Sequence, residues 1–411
     1  VTSTSEAPAA GRLAAFGNPG FLAYWVALML TGFAIQIQTV SVGWFVYDLT
    51  RNPLDLGLVG LSQFLPALLL VLVTGHVADH FPRRAIIAAC LCAMALAAVA
   101  LLYATSLGAD WVWLVFVTLA LFGLARAFYN PARQAIVPNL VPAAHLANAI
   151  AATTTINQFS MIGGPMVGGL LYAVAPGLAY GAVIVMMLVS ALLIVIAVPR
   201  QESGGGRGPA GWQTVSAGFR FIWEHKPVLG AISLDLFAVL FGGAMALLPI
   251  YARDILAVGP EGLGLLRAAP AIGAIMVGIL FMVRPLDNHA GIIMFASVAG
   301  FGLATLVFAV SGTLWLSMVA LVFIGGFDMV SVNIRSILVQ LWTPDEVRGR
   351  VNSVNSVFIG ASNELGAFRA GVMAAWIGPV AAVALGGVAI LAVAGTWARL
   401  FPQLRMVRHL R

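Results

Sequence analysis

Apolar residues run along this chain in long blocks, interrupted by short polar or charged stretches. A helix needs about 20 predominantly apolar residues to cross the hydrocarbon of a bilayer. Twelve blocks qualify: 20–47, 55–78, 84–106, 111–130, 146–175, 178–199, 228–252, 261–283, 290–311, 313–340, 350–377 and 379–402. Twelve spans use most of the chain and leave no room for a soluble domain. Residues 1–11 are small and polar and are expected to form a loose tail. The first block is too long for a signal peptide and lacks a cleavage-type end.

Composition agrees with this pattern. Of 411 residues, 61% are hydrophobic and only 9% charged, against roughly a quarter charged in soluble domains. That excludes an ordinary soluble protein, a disordered chain, collagen and a disulfide scaffold. The formal charge of +6 comes from 21 Lys+Arg against 15 Asp+Glu. These cations lie between apolar runs, as membrane flanks do, rather than as a nucleic-acid patch. Cys90 and Cys92, two apart on a helix, point about 200° from each other and cannot share a site. They are expected to be inert buried thiols.

Positive charge also orients the spans. One side would hold Arg12, Arg83, Arg84, Arg126, Arg133, Arg200, Arg207, Arg220, Lys226, Arg284, Arg335, Arg348, Arg350, Arg399, Arg405, Arg408 and Arg411, which is 17 of 21. Arg51, Arg253 and Arg267 would fall on the other side, and Arg369 within a helix. Both termini are therefore expected in the cytoplasm, which an even number of spans permits.

The longest polar interruption is residues 200–226, Gly-rich from Arg200 to Gly211. Trp212, Val215, Phe219 and Ile222 then recur at helical spacing, predicting an amphipathic helix on the cytoplasmic membrane surface. The predicted organisation is a tail (1–19), a six-helix bundle (20–199), a linker (200–227), a second six-helix bundle (228–402) and a tail (403–411). The halves look related. Arg133 precedes Pro142 by nine residues, as Arg335 precedes Pro344; at the same offset of 202, Gly164 meets Gly366 and Gly169 meets Gly371. Two matching halves suggest a pseudo-two-fold transporter with its site between them.

Acids inside the membrane are the sharpest chemical signal, because buried charge is costly and usually faces a cavity or a partner. Asp235, Asp328 and Glu364 qualify. A carboxyl in low dielectric takes up a proton more readily than one in water, as a proton-coupled carrier requires. Asp235 ranks first as proton carrier. Glu364 ranks second because Arg369, five residues on, is positioned to keep an acid ionised. A structural polar pair between helices is the competing reading. Gln36, Gln38, Asn157, Gln158, Asn355 and Asn363, with Asn352 and Ser356, are candidates for the substrate path or for interhelical hydrogen bonds. Trp44, Phe237, Phe241 and Phe358 offer aromatic surface or packing.

Other sites are disfavoured. His76, Asp79 and His80 have i, i+3, i+4 spacing, but they overlap the loop motif below, and no metal is expected. Asp235 and Asp328 lack the surroundings of an intramembrane aspartic protease. The Gly204–Gly208 stretch is not a phosphate loop. Neither enzyme chemistry nor a cofactor is expected.

Gly75-His-Val-Ala-Asp79-His80-Phe-Pro82-Arg83-Arg84 resembles the loop between helices two and three of the major facilitator superfamily, Gly-x-x-x-Asp-Arg-x-Gly-Arg-Arg, with His80 and Pro82 as departures. The resemblance implies a cytoplasmic gate at Gly75, Asp79, Arg83 and Arg84, where an Asp holds a helix N-terminus and an Arg pairs with it. Gly164-Pro165-Met-Val-Gly168-Gly169 is similar to the antiporter element of that superfamily's fifth helix. Arg126 looks like its span-four arginine, or an interfacial anchor. The segments 126–138, 236–249 and 348–366 look like the enterobactin-exporter branch, and the likeness runs from about residue 15 to 400.

The resemblance implies an all-α membrane protein of twelve transmembrane helices in two pseudo-symmetric six-helix bundles. It implies a monomer in a bacterial inner membrane, with lipids, protons and a small molecule as partners. It also implies proton-driven export, with Asp235, Glu364, Asp328, Arg126 and Arg369 in coupling. A siderophore exporter, a polyspecific drug pump, a lipid flippase and an uncoupled facilitator all remain open.

Overall fold

In a computed structural model of the protein, the described residues are 14–70, 73, 74, 77, 80–107, 111–199, 212–284 and 288–407. They form an almost wholly helical molecule. The helices are α1 (Pro19–Thr50), α2 (Pro53–Leu69), α3 (Arg83–Ala104), α4 (Val112–Ile136), α5 (Leu146–Val174), α6 (Pro176–Ala197), α7 (Trp212–Glu224), α8 (Lys226–Gly242), α9 (Gly259–Val283), α10 (Ala290–Ala309), α11 (Leu314–Trp342), α12 (Asp345–Ile377) and α13 (Pro379–Leu400). Among the described residues, nine helices are long and apolar enough to cross a membrane. α5 and α12 also have the length, 29 and 33 residues, but carry more polar side chains. α2 is described to Leu69, with its predicted remainder partly outside the described residues. All but α7 pair off with the twelve predicted spans.

Local sequence sets the helix ends. Asn18 caps α1, its side-chain oxygen accepting from the Gly20 amide at 2.9 Å. Asn52 caps α2 by accepting from Leu54 at 3.1 Å. Both helices have proline in the first turn, where the missing N–H costs nothing.

The seventh span is broken rather than the single helix expected over 228–252. α8 stops at Gly243, whose φ of +49° only glycine adopts without strain. A 3-10 turn (Ala244–Leu247), a short helical turn (Leu248–Ile250) and a π-turn (Tyr251–Ile255) complete the crossing. Pro249 removes another helical donor there.

Two bundles result, α1–α6 and α8–α13. They meet through paired small residues. A Cβ on Gly169 of α5 would stand 2.5 Å from the Pro260 carbonyl and 3.1 Å from Gly264 of α9. A Cβ on Gly371 of α12 would stand 2.8 Å from the Pro53 carbonyl and 3.0 Å from Gly57 of α2. The offset of 202 thus relates two crossings that each join one bundle to the other. Only residues without side chains let backbones approach so closely.

The apolar core is continuous across the bundles at the face remote from the termini (the far face), where Val40, Tyr47 and Leu56 pack with Leu247, Leu248 and Leu263. Each bundle also has a cluster of its own, around Phe21, Met94 and Met187 in the first and around Ile232, Met294 and Ile334 in the second. Residues 200–211 of the linker lie outside the described residues. The amphipathic helix forms as α7, but Ile222 is buried in the second bundle's core rather than facing the membrane surface. Phe219 and Trp223 stay exposed and stack on each other. Cys90 is buried, whereas Cys92 is exposed, which corrects the expectation that both are buried.

Candidate functional site

Between the bundles lies a cavity of about 240 Å³. Gln38, Thr39 and Gly43 of α1, Gly60 and Gln63 of α2, and Arg126 of α4 line it from the first bundle. Met245 of the broken span, Arg267 of α9, and Asn363 and Glu364 of α12 line it from the second. Arg126 and Glu364 face each other within electrostatic range, one from each bundle. Gly60 makes room for the acid, since a Cβ there would stand 2.5 Å from Glu364 Oε2. The cavity therefore holds two guanidinium groups and one carboxylate.

A second cavity, of about 200 Å³, adjoins it and shares Met245, Ala246, Asn363 and Ala367. Its walls are mostly apolar, including Val239, Phe301 and Ile324, and it contains Asp328. Among the described residues, Asp328 makes no hydrogen bond or ion pair.

The other acids and cations fall differently from expectation. Asp235 lines neither cavity; it forms an ion pair with Arg335 of α11, the two side chains being 9% and 4% exposed. Among the described residues Arg369 pairs with no acid, which corrects the reading of Glu364 as held ionised by it. Five residues of α-helix place the two side chains about 140° apart. Arg369 instead donates from Nε to the Leu240 carbonyl at 3.0 Å and from Nη2 to that of Phe241 at 2.6 Å. It also lies 5.6 Å from the Phe241 ring centroid. It thereby satisfies carbonyls left open where α8 stops, the task of a helix C-cap.

Of the neutral polar candidates, Gln38 and Asn363 line the central cavity. Asn157 accepts from Arg133 at 3.1 Å in a third cavity near the terminal face. Gln36, Gln158 and Asn355 line none of the three. Gln36 packs against the backbone of Gly164, which belongs with Pro165, Gly168 and Gly169 to the antiporter-like motif. That motif packs α5 against α1 at Gln36 and Ile37, and against α9 at Gly264. Of the gate candidates, Gly75 and Asp79 lie outside the described residues. Arg83 donates to the Ala135 carbonyl at 2.9 Å and Arg84 to that of Val198 at 2.8 Å, so both bonds stay within the first bundle.

Two features escaped the sequence reading. Arg267, assigned from charge to the far side, lies in the central cavity; its position eight residues into an apolar helix was the available signal. At the far face, the bundles are tied by charge. Arg253 pairs with Asp48 and lies over the Trp44 ring, Tyr47 donates its hydroxyl proton to Asp254, and Arg51 meets Asp254 at 3.2 Å. Only the tertiary structure brings residues 44–51 beside 253 and 254.

Comparison with known proteins gives this arrangement a context. A family model described as a transmembrane secretion effector matches residues 10–409. A multidrug efflux pump, Tap, of Mycolicibacterium fortuitum is 28% identical over 85% of the chain and 87% of its own length. An enterobactin exporter, EntS, of Shigella dysenteriae is 24% identical over 95% of the chain and 94% of its own. Among solved structures, a mutant of the nucleoside transporter NupG superposes with a TM-score of 0.73 at 13% identity, covering 93% of this chain and 99% of that one.

Proposed function

From the premise that the chain belongs to the transmembrane secretion effector family of the major facilitator superfamily, we propose that it exports a small organic molecule in exchange for protons by alternating access. The seat of this exchange is the central cavity. The observation that carries the reading is the opposition of Glu364 and Arg126 across the seam between the bundles. Ionised Glu364 attracts Arg126 and favours the approach of α12 to α4. A proton on Glu364 removes that attraction, so proton occupancy and the relative position of the bundles become linked. Substrate binding in the same cavity then competes with, or replaces, the charge that the proton alters.

The far-face ion pairs and the continuous core beneath them support a resting state closed at that face. With both termini in the cytoplasm of a bacterial cell, that state loads from inside. The electrical part of the proton-motive force supplies ~2.3 kcal/mol per charge per 100 mV. Asp328 serves as a second protonatable acid beside the substrate, and the Asp235–Arg335 pair holds α8 to α11. Arg83 and Arg84, with Gly75 and Asp79, belong to the cytoplasmic gate, and the protein acts as a monomer. Relatives named as an enterobactin exporter and a multidrug efflux pump favour a siderophore-like or amphiphilic drug-like substrate.

Uptake into inverted membrane vesicles under an imposed pH gradient tests this reading, with siderophores and dyes as substrates. Uptake that stops on collapse of the gradient is expected. Uptake indifferent to the gradient would mark an uncoupled facilitator. Activity only on bilayer lipids would mark a flippase.

A further inference from the structure

Arg267 sits about 12 Å into α9 at 1.5 Å per residue, about a third of the way along that helix and beyond its first two turns. Among the described residues its guanidinium has neither a hydrogen-bond nor an ion-pair partner, and its Nε is buried and unsatisfied. It reaches across the seam to α1: Nη2 lies 3.4 Å from where a Cβ would stand on Gly43. Among the described residues the one carboxylate lining the cavity is Glu364, which interacts electrostatically with Arg126 and is lodged against Gly60. Arg267 is therefore a cation in low dielectric without a counter-charge, an arrangement that costs stability unless something else supplies the charge.

We propose that Arg267 is the receptor for an acidic group of the transported molecule, which is an organic anion carrying a carboxylate, catecholate, sulfonate or phosphate. This rests on the reading of the cavity as the transport path. A guanidinium presents donors in a planar fork that matches such groups. The neighbouring Gln38, Thr39 and Asn363 supply neutral polar contacts. The adjoining cavity, walled by Val239, Phe301 and Ile324, receives the apolar remainder of the molecule. Asp328 in that cavity repels an acid whenever it is ionised and never attracts one, so the acidic end of the ligand lies at Arg267. An anion on Arg267 is held at the seam, in contact with both bundles, where its arrival alters the energy of their separation.

The test is equilibrium dialysis of the purified full chain in detergent with two fluorescent probes, the anionic fluorescein and the cationic ethidium. Arg267→Gln is expected to weaken fluorescein binding by about tenfold or more, the loss of one charge-assisted contact, and to leave ethidium binding unchanged or tighter. Arg267→Lys, which keeps the charge, is expected to fall between. Fluorescein binding by the wild type no stronger than by Arg267→Gln overturns the proposal. So does an equal loss of both probes, or displacement of fluorescein by stoichiometric phosphatidylglycerol, which assigns the site to a lipid headgroup. Dialysis requires neither a gradient nor turnover. Arg267-dependent binding without proton-driven transport therefore contradicts only the proposed function.

Discussion

The carboxylate of Asp235 on α8 is held by the guanidinium of Arg335 on α11, with both side chains almost fully buried inside the second bundle. Removing one partner leaves an uncompensated buried charge, which costs about 3–5 kcal/mol, whereas removing both costs far less. Asp235→Asn and Arg335→Gln are each expected to lower stability in detergent by that amount. The double variant is expected to recover most of it and to keep proton-driven transport. Denaturant unfolding of the three variants, read as a double-mutant cycle, checks the first part. Loss of gradient-dependent transport in the stable double variant would return Asp235 to the role of proton carrier.

Arg369 supports the break in the seventh span by donating to the Leu240 and Phe241 carbonyls. Arg369→Gln is expected to destabilise the protein by about 1–3 kcal/mol, the cost of leaving buried acceptors unsatisfied. Arg369→Lys is expected to recover only part, because an ammonium lacks the planar fork that reaches two carbonyls at once. Thermal melting of both variants measures the difference. Equal stability of Arg369→Gln and the wild type would show that the break does not need this cap.

These two arginines mark the limit of what the sequence could say. The twelve apolar blocks, the linker helix and the offset of 202 were legible because length and periodicity follow directly from bilayer thickness and helix geometry. Intramembrane acids were legible as a class, since charge in an apolar run is conspicuous. Their partners were not. Asp235 and Arg335 are a hundred residues apart, and Arg369 bonds to backbone, whose identity no side-chain pattern encodes. Arg267 was misplaced because a positive-charge count treats an arginine near a helix start as a loop residue. The break at Gly243 was hidden because a glycine that needs a left-handed conformation looks like any other among 44.

The far-face pairs Arg253–Asp48 and Arg51–Asp254, with the Tyr47–Asp254 hydrogen bond, tie the two bundles together. They are partly solvent-exposed, so each pair contributes up to ~1 kcal/mol. Asp48→Asn combined with Asp254→Asn is expected to raise the population open at the far face. In a variant lacking Cys90 and Cys92 and carrying Met245→Cys, labelling by a membrane-impermeant thiol reagent from that face should rise about threefold or more. Unchanged labelling would mean that packing of the apolar core, not charge, closes that face.

Gly169 and Gly264 let α5 and α9 touch across the seam. Gly169→Ala places a methyl group against the Pro260 carbonyl, and overpacking of this kind costs about 1–3 kcal/mol. Because the contact joins the two bundles rather than the helices of one, transport is expected to fall more steeply than stability. Gly181→Ala serves as a control, as a Cβ there meets nothing within 4 Å. Transport assays and melting curves on both variants check this, and parallel losses in Gly169→Ala would contradict it.

Glu364, which shares the central cavity with Arg126 from the opposite bundle, is proposed to carry the exchanged proton. The direct measurement is proton movement in proteoliposomes with a pH-sensitive dye inside, driven only by a substrate gradient. The wild type should move protons opposite to the substrate, and Glu364→Gln should still exchange labelled for unlabelled substrate without moving any. Substrate-driven proton movement that persists undiminished in Glu364→Gln would contradict the account.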